Sequence, residues 1–130
     1  MIFSLAVYAA PFSSQASDSA YRFAKALVAE GHTLYRVFFY HDAVHTASNL
    51  TTPPQDETNL TSLWQALSKE HSIDLVVCIA AALKRGLLDQ REAVRYEKPA
   101  FNVAEGFTIS GLGQLVDAAV NSDRLITFGG

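Results

Sequence analysis

Cysteine is almost absent from this chain: one residue, Cys78, occurs among 130. A disulfide within the chain needs two cysteines and a cysteine-rich zinc site needs several, so both are excluded. A chain that depends on no disulfide suits a reducing compartment. We therefore expect a cytoplasmic protein.

Basic residues are also few. Ten Lys and Arg residues stand against 13 Asp and Glu residues, which gives a formal net charge of −3 and a pI near 5.7. Binding to a phosphate backbone requires clustered Lys and Arg side chains that displace counterions. We therefore expect no direct contact with nucleic acid.

Long hydrophobic runs are missing. The longest apolar stretch, residues 75–83, has nine residues, whereas a membrane-spanning helix needs about 18. The apolar segment 1–10 has no basic region before it and continues into Pro11, which is not the pattern of a signal peptide. The sequence predicts neither a membrane span nor a targeting segment.

The composition that remains is that of a globular protein, with 49% hydrophobic and 18% charged residues. A chain of 130 residues is long enough for one hydrophobic core, so we expect a single domain over residues 1–130. Segments rich in strand formers alternate with segments of helical periodicity. The predicted strands are 1–8, 34–40, 73–79, 100–103 and 124–128. The first predicted helix, 17–31, is capped by Ser17, and the second is capped by Asp56 and carries Leu60 to Leu67. The other predicted helices are 80–85, 91–96 and 112–120.

This alternation predicts an α/β fold in which a five-stranded parallel sheet carries helices on both faces. The length suits a flavodoxin-like sheet, for which we expect the strand order 2-1-3-4-5. Sites in such sheets form beyond the carboxyl ends of the strands, at the point where the strand order reverses. That geometry places the loops after the first three strands together and puts Cys78 next to the reversal.

Cys78 is the first candidate for chemistry, because it ends the third strand and precedes a predicted helix. Unpaired N–H groups at a helix start favour a thiolate, and Lys84 and Arg85 would add positive charge. Tyr40, which ends the second strand, and His41, which follows it at the same edge, are further candidate supporting residues. The alternative is that Cys78 is a small apolar side chain packed in a strand.

Three other patterns are weaker. His41, Asp42 and His45 have the spacing of two metal ligands beside a carboxylate, but a third ligand is missing, and the run is also typical of turn and cap chemistry. The serine-rich loop 13–17 resembles a phosphate loop without glycine, and Asp18 would repel a phosphate. The segment 111–113, Gly-Leu-Gly, is a fragment of a dinucleotide fingerprint, and no predicted strand precedes it. We predict no metal and no cofactor.

Six short motifs, in order along the chain, resemble the TusD/DsrE family of sulfur-transfer proteins. They are QAS at 15–17, VFFY at 37–40, LT at 50–51 with Pro53, CIAAALKRG at 78–86, GFTISGLG at 106–113 and DR at 123–124. The resemblance extends over nearly the whole chain and places a cysteine at the family's expected position. It implies a DsrE-like fold.

The resemblance also implies a function. In this family the cysteine that matches Cys78 accepts a sulfane sulfur and passes it on, so the chain is expected to be a sulfurtransferase subunit that carries a persulfide. Subunits of this type assemble with TusB- and TusC-like subunits in a heterohexamer. They relay sulfur from a TusA-like donor to a TusE-like acceptor, toward 2-thiolation of the tRNA wobble uridine.

Two alternatives follow from the same resemblance: a DsrE-type role in sulfur oxidation, and a scaffold subunit whose cysteine is silent. The Gly129-Gly130 end is a further feature, since it is shared with sulfur-carrier tails, although we expect a disordered end. Some of the aromatic residues in the least regular stretch, Tyr96, Phe101 and Phe107, are predicted to be buried against neighbouring subunits.

Overall fold

The computed structural model describes residues 1–130. Five strands alternate with five α-helices and one 3-10 helix. In chain order the elements are β1 (Ile2–Val7), α1 (Gln15–Ala29), β2 (Thr33–Phe39), the 3-10 helix (His41–Ala47), α2 (Leu60–His71), β3 (Asp74–Cys78), α3 (Ile79–Leu83), α4 (Gln90–Arg95), β4 (Phe107–Ser110), α5 (Gly113–Val120) and β5 (Arg124–Phe128). None of the helices is long and apolar enough to span a membrane.

The five strands form one sheet in which every pair is parallel, in the order β4-β3-β2-β1-β5. The α/β fold class is therefore confirmed, but the expected order 2-1-3-4-5 is wrong. Both orders allow parallel strands and right-handed crossovers, so the alternation of elements does not choose between them. The strand order here reverses between β1 and β5. The expectation that Cys78 lies beside the reversal is also wrong, because β2 separates β3 from β1.

Helices cover both faces of the sheet, as predicted. Phe39 of β2 packs its ring against Trp64 of α2, with the ring centroids 5.5 Å apart. Arg36, three positions earlier on the same strand, hydrogen-bonds to α5 instead. Because side chains along a strand alternate between faces, α2 and α5 lie on opposite sides of the sheet. Tyr21 of α1 contacts Trp64, so α1 shares the face of α2.

A polar network attaches α5 to the sheet. The β1–β2 ladder passes from the pair Phe3↔Leu34 to the pair Ser4↔Arg36, which leaves Tyr35 as an extra residue. Tyr35 and Arg36 consequently both reach the Asp117 carboxylate of α5, at 2.7 and 2.8 Å. The hydrogen bonds from Tyr35 and Arg36 lower the pKa of Asp117. The hydrogen bond to Asp117 raises the pKa of the Tyr35 phenol.

Three local expectations are wrong. Helix α1 is capped by Ser14 rather than Ser17, and α2 by Asn59 rather than Asp56. Several adjacent residues in each loop are competent caps, and only the backbone conformation decides which side chain accepts the helix N–H. The fourth strand lies at residues 107–110, not 100–103. Val103 forms only an isolated antiparallel bridge with Ser48.

Candidate active site

Cys78 occupies the last position of β3 and the N-cap position of α3. Its backbone is still extended, with φ −61° and ψ 121°, and its thiol makes no capping hydrogen bond. The run before it, Leu75 to Val77, is buried on both faces of the sheet, and the side chain of Cys78 is itself only 2% exposed. Helix α3 has only five residues. The predicted strand-to-helix placement is therefore present, with a short helix and a buried thiol.

The strand register places two polar side chains level with this cysteine. Cys78 pairs with Ser110, the last residue of β4. On the other side Phe39 pairs with Val77, so Tyr40, the next residue, follows β2 at the level of Cys78. Tyr40, Cys78 and Ser110 thus lie in one row at the carboxyl edge of the sheet. Ser110 was not among the predicted residues, because its strand was misplaced.

Aromatic rings occupy the same edge above β1 and β2. Tyr40 and His41 stack with their ring centroids 4.0 Å apart and their planes 11° apart. The ring of Tyr8, which follows β1, meets both of them edge-on at 5.7 and 5.3 Å. His41 has a positive φ of 50° and is exposed. The predicted residues Tyr40 and His41 therefore form part of an aromatic wall beside the site.

Arg85 and Lys84 lie at the far end of α3. The Arg85 guanidinium donates to Asp42 at 2.9 Å and to the Ala81 carbonyl at 3.1 Å. Its charge is thus paired with a carboxylate of the 3-10 helix, and Arg85 joins that helix to α3. Lys84 is exposed and lines a groove of about 770 Å³ together with Leu83, Gly86, Leu88, Tyr96, Lys98, Pro99 and Ala100.

The metal hypothesis gains no third ligand from the structure. Asp42 pairs with Arg85, and no group of three or more His, Cys, Asp or Glu side chains is arranged to hold a metal ion.

The phosphate-loop alternative is also unfavourable. Ser14 accepts a hydrogen bond from the N–H of Ala16, so its hydroxyl caps α1. The adjacent cavity, about 570 Å³, is lined by the carboxylates Asp18, Asp56 and Glu57, which would repel a phosphate.

For the Gly-Leu-Gly segment at 111–113, the expectation that no strand precedes it is wrong, because β4 ends directly before Gly111. The N–H groups of residues 114–116 are bonded to the carbonyls of Gly111 and Leu112.

Comparison with known proteins identifies the chain's relatives. The model of the DsrE/DsrF-like family matches residues 1–128. The DsrE protein of Allochromatium vinosum is 51% identical over 129 residues, which cover 99% of each chain. Sulfurtransferase TusD of Serratia proteamaculans is 48% identical over 124 residues, 95% of this chain and 96% of the relative.

A solved structure shares the fold. The crystal structure of the ychN protein from E. coli superposes with a TM-score of 0.75, covering 98% of this chain and 97% of the other, at 21% sequence identity. With a family model that matches almost every residue and two relatives near half identity, the chain belongs to the DsrE/DsrF-like family.

Proposed function

We propose that this sulfurtransferase carries the transferred sulfur as a persulfide on Cys78. Cys78 is the only cysteine in the chain, so any transfer through a thiol of this protein must use it. Cys78 lies at the carboxyl edge of a parallel sheet, which is the edge at which such folds bind ligands, although two strands away from the reversal of strand order. The observation that carries the proposal is this sole thiol at the junction of β3 and α3.

The proposed transfer consists of two thiol exchanges. The Cys78 thiolate attacks the outer sulfur of a donor persulfide, and an S–S bond to Sγ forms while the donor's own S–S bond breaks. The bonding electron pair leaves with the donor, which becomes a thiolate. The thiolate of the acceptor then attacks the same outer sulfur and releases Cys78 as a thiolate. Oxidation states balance across the two steps, so the proposal requires no metal or redox cofactor.

Burial of the thiol gives this carrier a physical advantage. A side chain that is 2% exposed is poorly accessible to small thiols in solution, which would otherwise remove the outer sulfur. Loading and unloading then require a local opening at the junction of β3 and α3. We propose that contact with the donor and with the acceptor supplies this opening, so that sulfur is exchanged within a complex.

We propose that the relay serves 2-thiolation of the tRNA wobble uridine, in the cytoplasm. Similarity to sulfurtransferase TusD along 95% of the chain supports this assignment. In this relay a TusA-like protein donates the sulfur and a TusE-like protein accepts it. The net charge of −3 suits a subunit that exchanges sulfur with proteins and does not itself hold tRNA.

A sulfur-oxidation role is the second candidate, because the identity with the DsrE protein, 51%, exceeds the 48% identity with TusD. Measurement of wobble 2-thiouridine in cells that lack this chain separates the two roles. Loss of the modified nucleoside, restored by the wild-type gene, supports the tRNA relay. Unchanged 2-thiouridine contradicts it.

Assembly with TusB- and TusC-like subunits in a heterohexamer is part of the same proposal. Three apolar side chains recur every four residues along α5 and its N-cap: Leu112, Val116 and Val120 are 48%, 64% and 77% exposed. Such a stripe on a helix face is a typical feature of a subunit interface. Tyr96 and Phe101 are each 51% exposed, as an interface role requires, whereas Phe107 is buried in the core at 8%. Phe107 is therefore not one of the aromatic residues that an interface could bury.

The decisive experiment is sulfur uptake measured by intact mass. Incubation with a persulfidated TusA-like donor protein should add one sulfur atom to the wild-type chain, and a reductant should remove it once the chain is unfolded. The Cys78→Ser variant has a side chain of similar size and should take up no sulfur while keeping its fold and its partners. Sulfur retained by Cys78→Ser would move the site to the Gly129-Gly130 end. A wild-type chain that takes up none, yet is required by its partners, would be a scaffold.

A further inference from the structure

Ser110 is the strand neighbour of Cys78 toward the edge of the sheet. The two residues form the last pair of the β3–β4 ladder. Neighbouring strands lie about 4.8 Å apart, and paired residues of a parallel ladder direct their side chains to the same face. Arg36 and Asp74 form an ion pair on the face of α5, and Cys78 lies four positions after Asp74. The side chains of Cys78 and Ser110 therefore both face the side of the sheet on which α5 lies.

The hydroxyl of Ser110 is available for a ligand. Ser4, on the same sheet, bonds to Ser122, and Ser68 donates to the Ile73 carbonyl, but no side-chain hydrogen bond involves Ser110. Ser110 is half-buried and Thr108, the preceding residue on its face, is exposed. Ser110 thus remains partly accessible to solvent on the edge strand β4, which is the side from which a donor or acceptor could approach.

We propose that the Ser110 hydroxyl donates a hydrogen bond to the outer sulfur of the persulfide on Cys78. This inference rests on the proposed function. The thiol itself makes no hydrogen bond, but an S–S bond of about 2.05 Å extends the outer sulfur beyond Sγ. A deprotonated outer sulfur is an anion, and hydrogen bonds to charged acceptors are the stronger ones. No proton is transferred to the sulfur.

The hydrogen bond serves the two exchanges in different ways. It stabilises the loaded state against the free thiol, which favours uptake from the donor. It also fixes the direction of the outer sulfur, so that the acceptor thiolate meets it in line with the bond to Sγ. The short connection of two residues, Gly111 and Leu112, between β4 and α5 limits the movement of Ser110 and keeps the hydroxyl in place.

The test compares persulfide loading in three variants and the wild type. Each protein is equilibrated with defined ratios of the persulfidated to the reduced form of a TusA-like donor protein, and the loaded fraction is read by intact mass. Ser110→Ala should lower the loading constant roughly tenfold, the effect of losing one hydrogen bond to a charged group. Ser110→Thr keeps the hydroxyl and should load like the wild type. Thr108→Ala, on the same face of the same strand, is the matched control and should also load like the wild type.

The outcomes separate this inference from the proposed function. If the wild type takes up no sulfur, the proposed function fails. If the wild type loads and Ser110→Ala loads equally well, the role of Ser110 is overturned while the function stands. An equal loss in Thr108→Ala, or a lowered melting temperature in Ser110→Ala, would trace the effect to a disturbed β4 and also overturn the inference.

Discussion

Replacement of Arg36 by Met tests how the sheet holds α5. The Arg36 side chain is 9% exposed and makes three hydrogen bonds, to the carboxylates of Asp74 and Asp117 and to the Gln114 carbonyl, at 2.7 to 2.8 Å. Methionine has a similar length and fills much of the same volume without charge. The variant therefore removes the polar contacts and leaves most of the packing.

The expected loss of stability is the difference between two larger free energies, that of the hydrogen bonds and that of burying the guanidinium. Each hydrogen bond to a charged group contributes about 1.5–3 kcal/mol, whereas burial of a guanidinium costs several kcal/mol. Asp74 and Asp117 are 45% and 43% exposed, so both carboxylates regain water when the guanidinium is removed. We expect Arg36→Met to lower the free energy of unfolding by about 1–3 kcal/mol, or the melting temperature by roughly 3–10 °C.

Removal of the two carboxylate partners of Arg36 should destabilise the fold more than removal of Arg36 itself. In the double variant Asp74→Asn with Asp117→Asn, the buried guanidinium stays and loses both anionic partners, which is the costly way to break such a group. Urea unfolding, followed by circular dichroism, should therefore rank the wild type first, Arg36→Met second and the double variant last. If Arg36→Met is as stable as the wild type, or less stable than the double variant, the reasoning is refuted.

Three further measurements address the same molecule. The hydrogen bond to Asp117 raises the pKa of Tyr35 in the folded protein. The stabilisation that this hydrogen bond gives is therefore complete below the ordinary tyrosine pKa of about 10. It is lost as the pH rises through the higher pKa of Tyr35 in the folded protein. Tyr35→Phe should thus be less stable than the wild type at neutral pH, and this difference should disappear in strongly alkaline urea titrations; a difference that persists there contradicts the role of the phenol. Cys78, being 2% exposed, should react with a bulky maleimide far more slowly than a free thiol does, and urea should remove this protection; equal rates in native and unfolded protein would mean that the thiol is open. Light scattering of the complex isolated with its partners should give a particle of hexamer size, and a monomer at micromolar concentration would contradict the proposed assembly.

Much of the fold could be predicted from periodicity. The segments of β1, α1, β2, α2 and β3 carry strand or helix patterns, and each lies within a few residues of its predicted position. The fourth strand was misplaced because β4 has only four residues, FTIS, with Thr and Ser at alternate positions. The segment 100–103, AFNV, has three apolar residues where β4 has two, so hydrophobicity favours the wrong segment, and only pairing with β3 identifies the strand.

The predicted strand order was wrong, although one pattern in the sequence of β2 argued against it. In β2, Val37, Phe38 and Phe39 are consecutive and all buried, which is typical of a strand inside a sheet. The expected order placed β2 at an edge. The observed order instead leaves the short β4 and the half-exposed β5 at the edges.

The position of the site along the chain was predictable, but the residues that surround Cys78 in space were not. Cys78 at the end of a buried strand follows from the residues on either side of it. Ser110 could be found only from the β3–β4 register, and the pairing of Arg85 with Asp42 only from the packing of α3 against the 3-10 helix. Cys78 and Ser110 are 32 positions apart in the sequence, and Asp42 and Arg85 are 43 positions apart. A local sequence pattern carries no information about contacts between such distant residues.

The pairing of β1 with β5 has a consequence for synthesis on the ribosome. The strands β1 to β4 pair in chain order, so a nascent chain can build this part of the sheet as it emerges. The other edge of β1 stays open until β5 has been made, since the backbone of Ile2 bonds to Asp123, 121 residues later. During that interval the N–H and C=O groups along the unpaired edge of Leu5 to Val7 are free to bind another extended chain. Among the five strands of this sheet, β1 is thus translated before the others but has both edges paired only after β5 has been made.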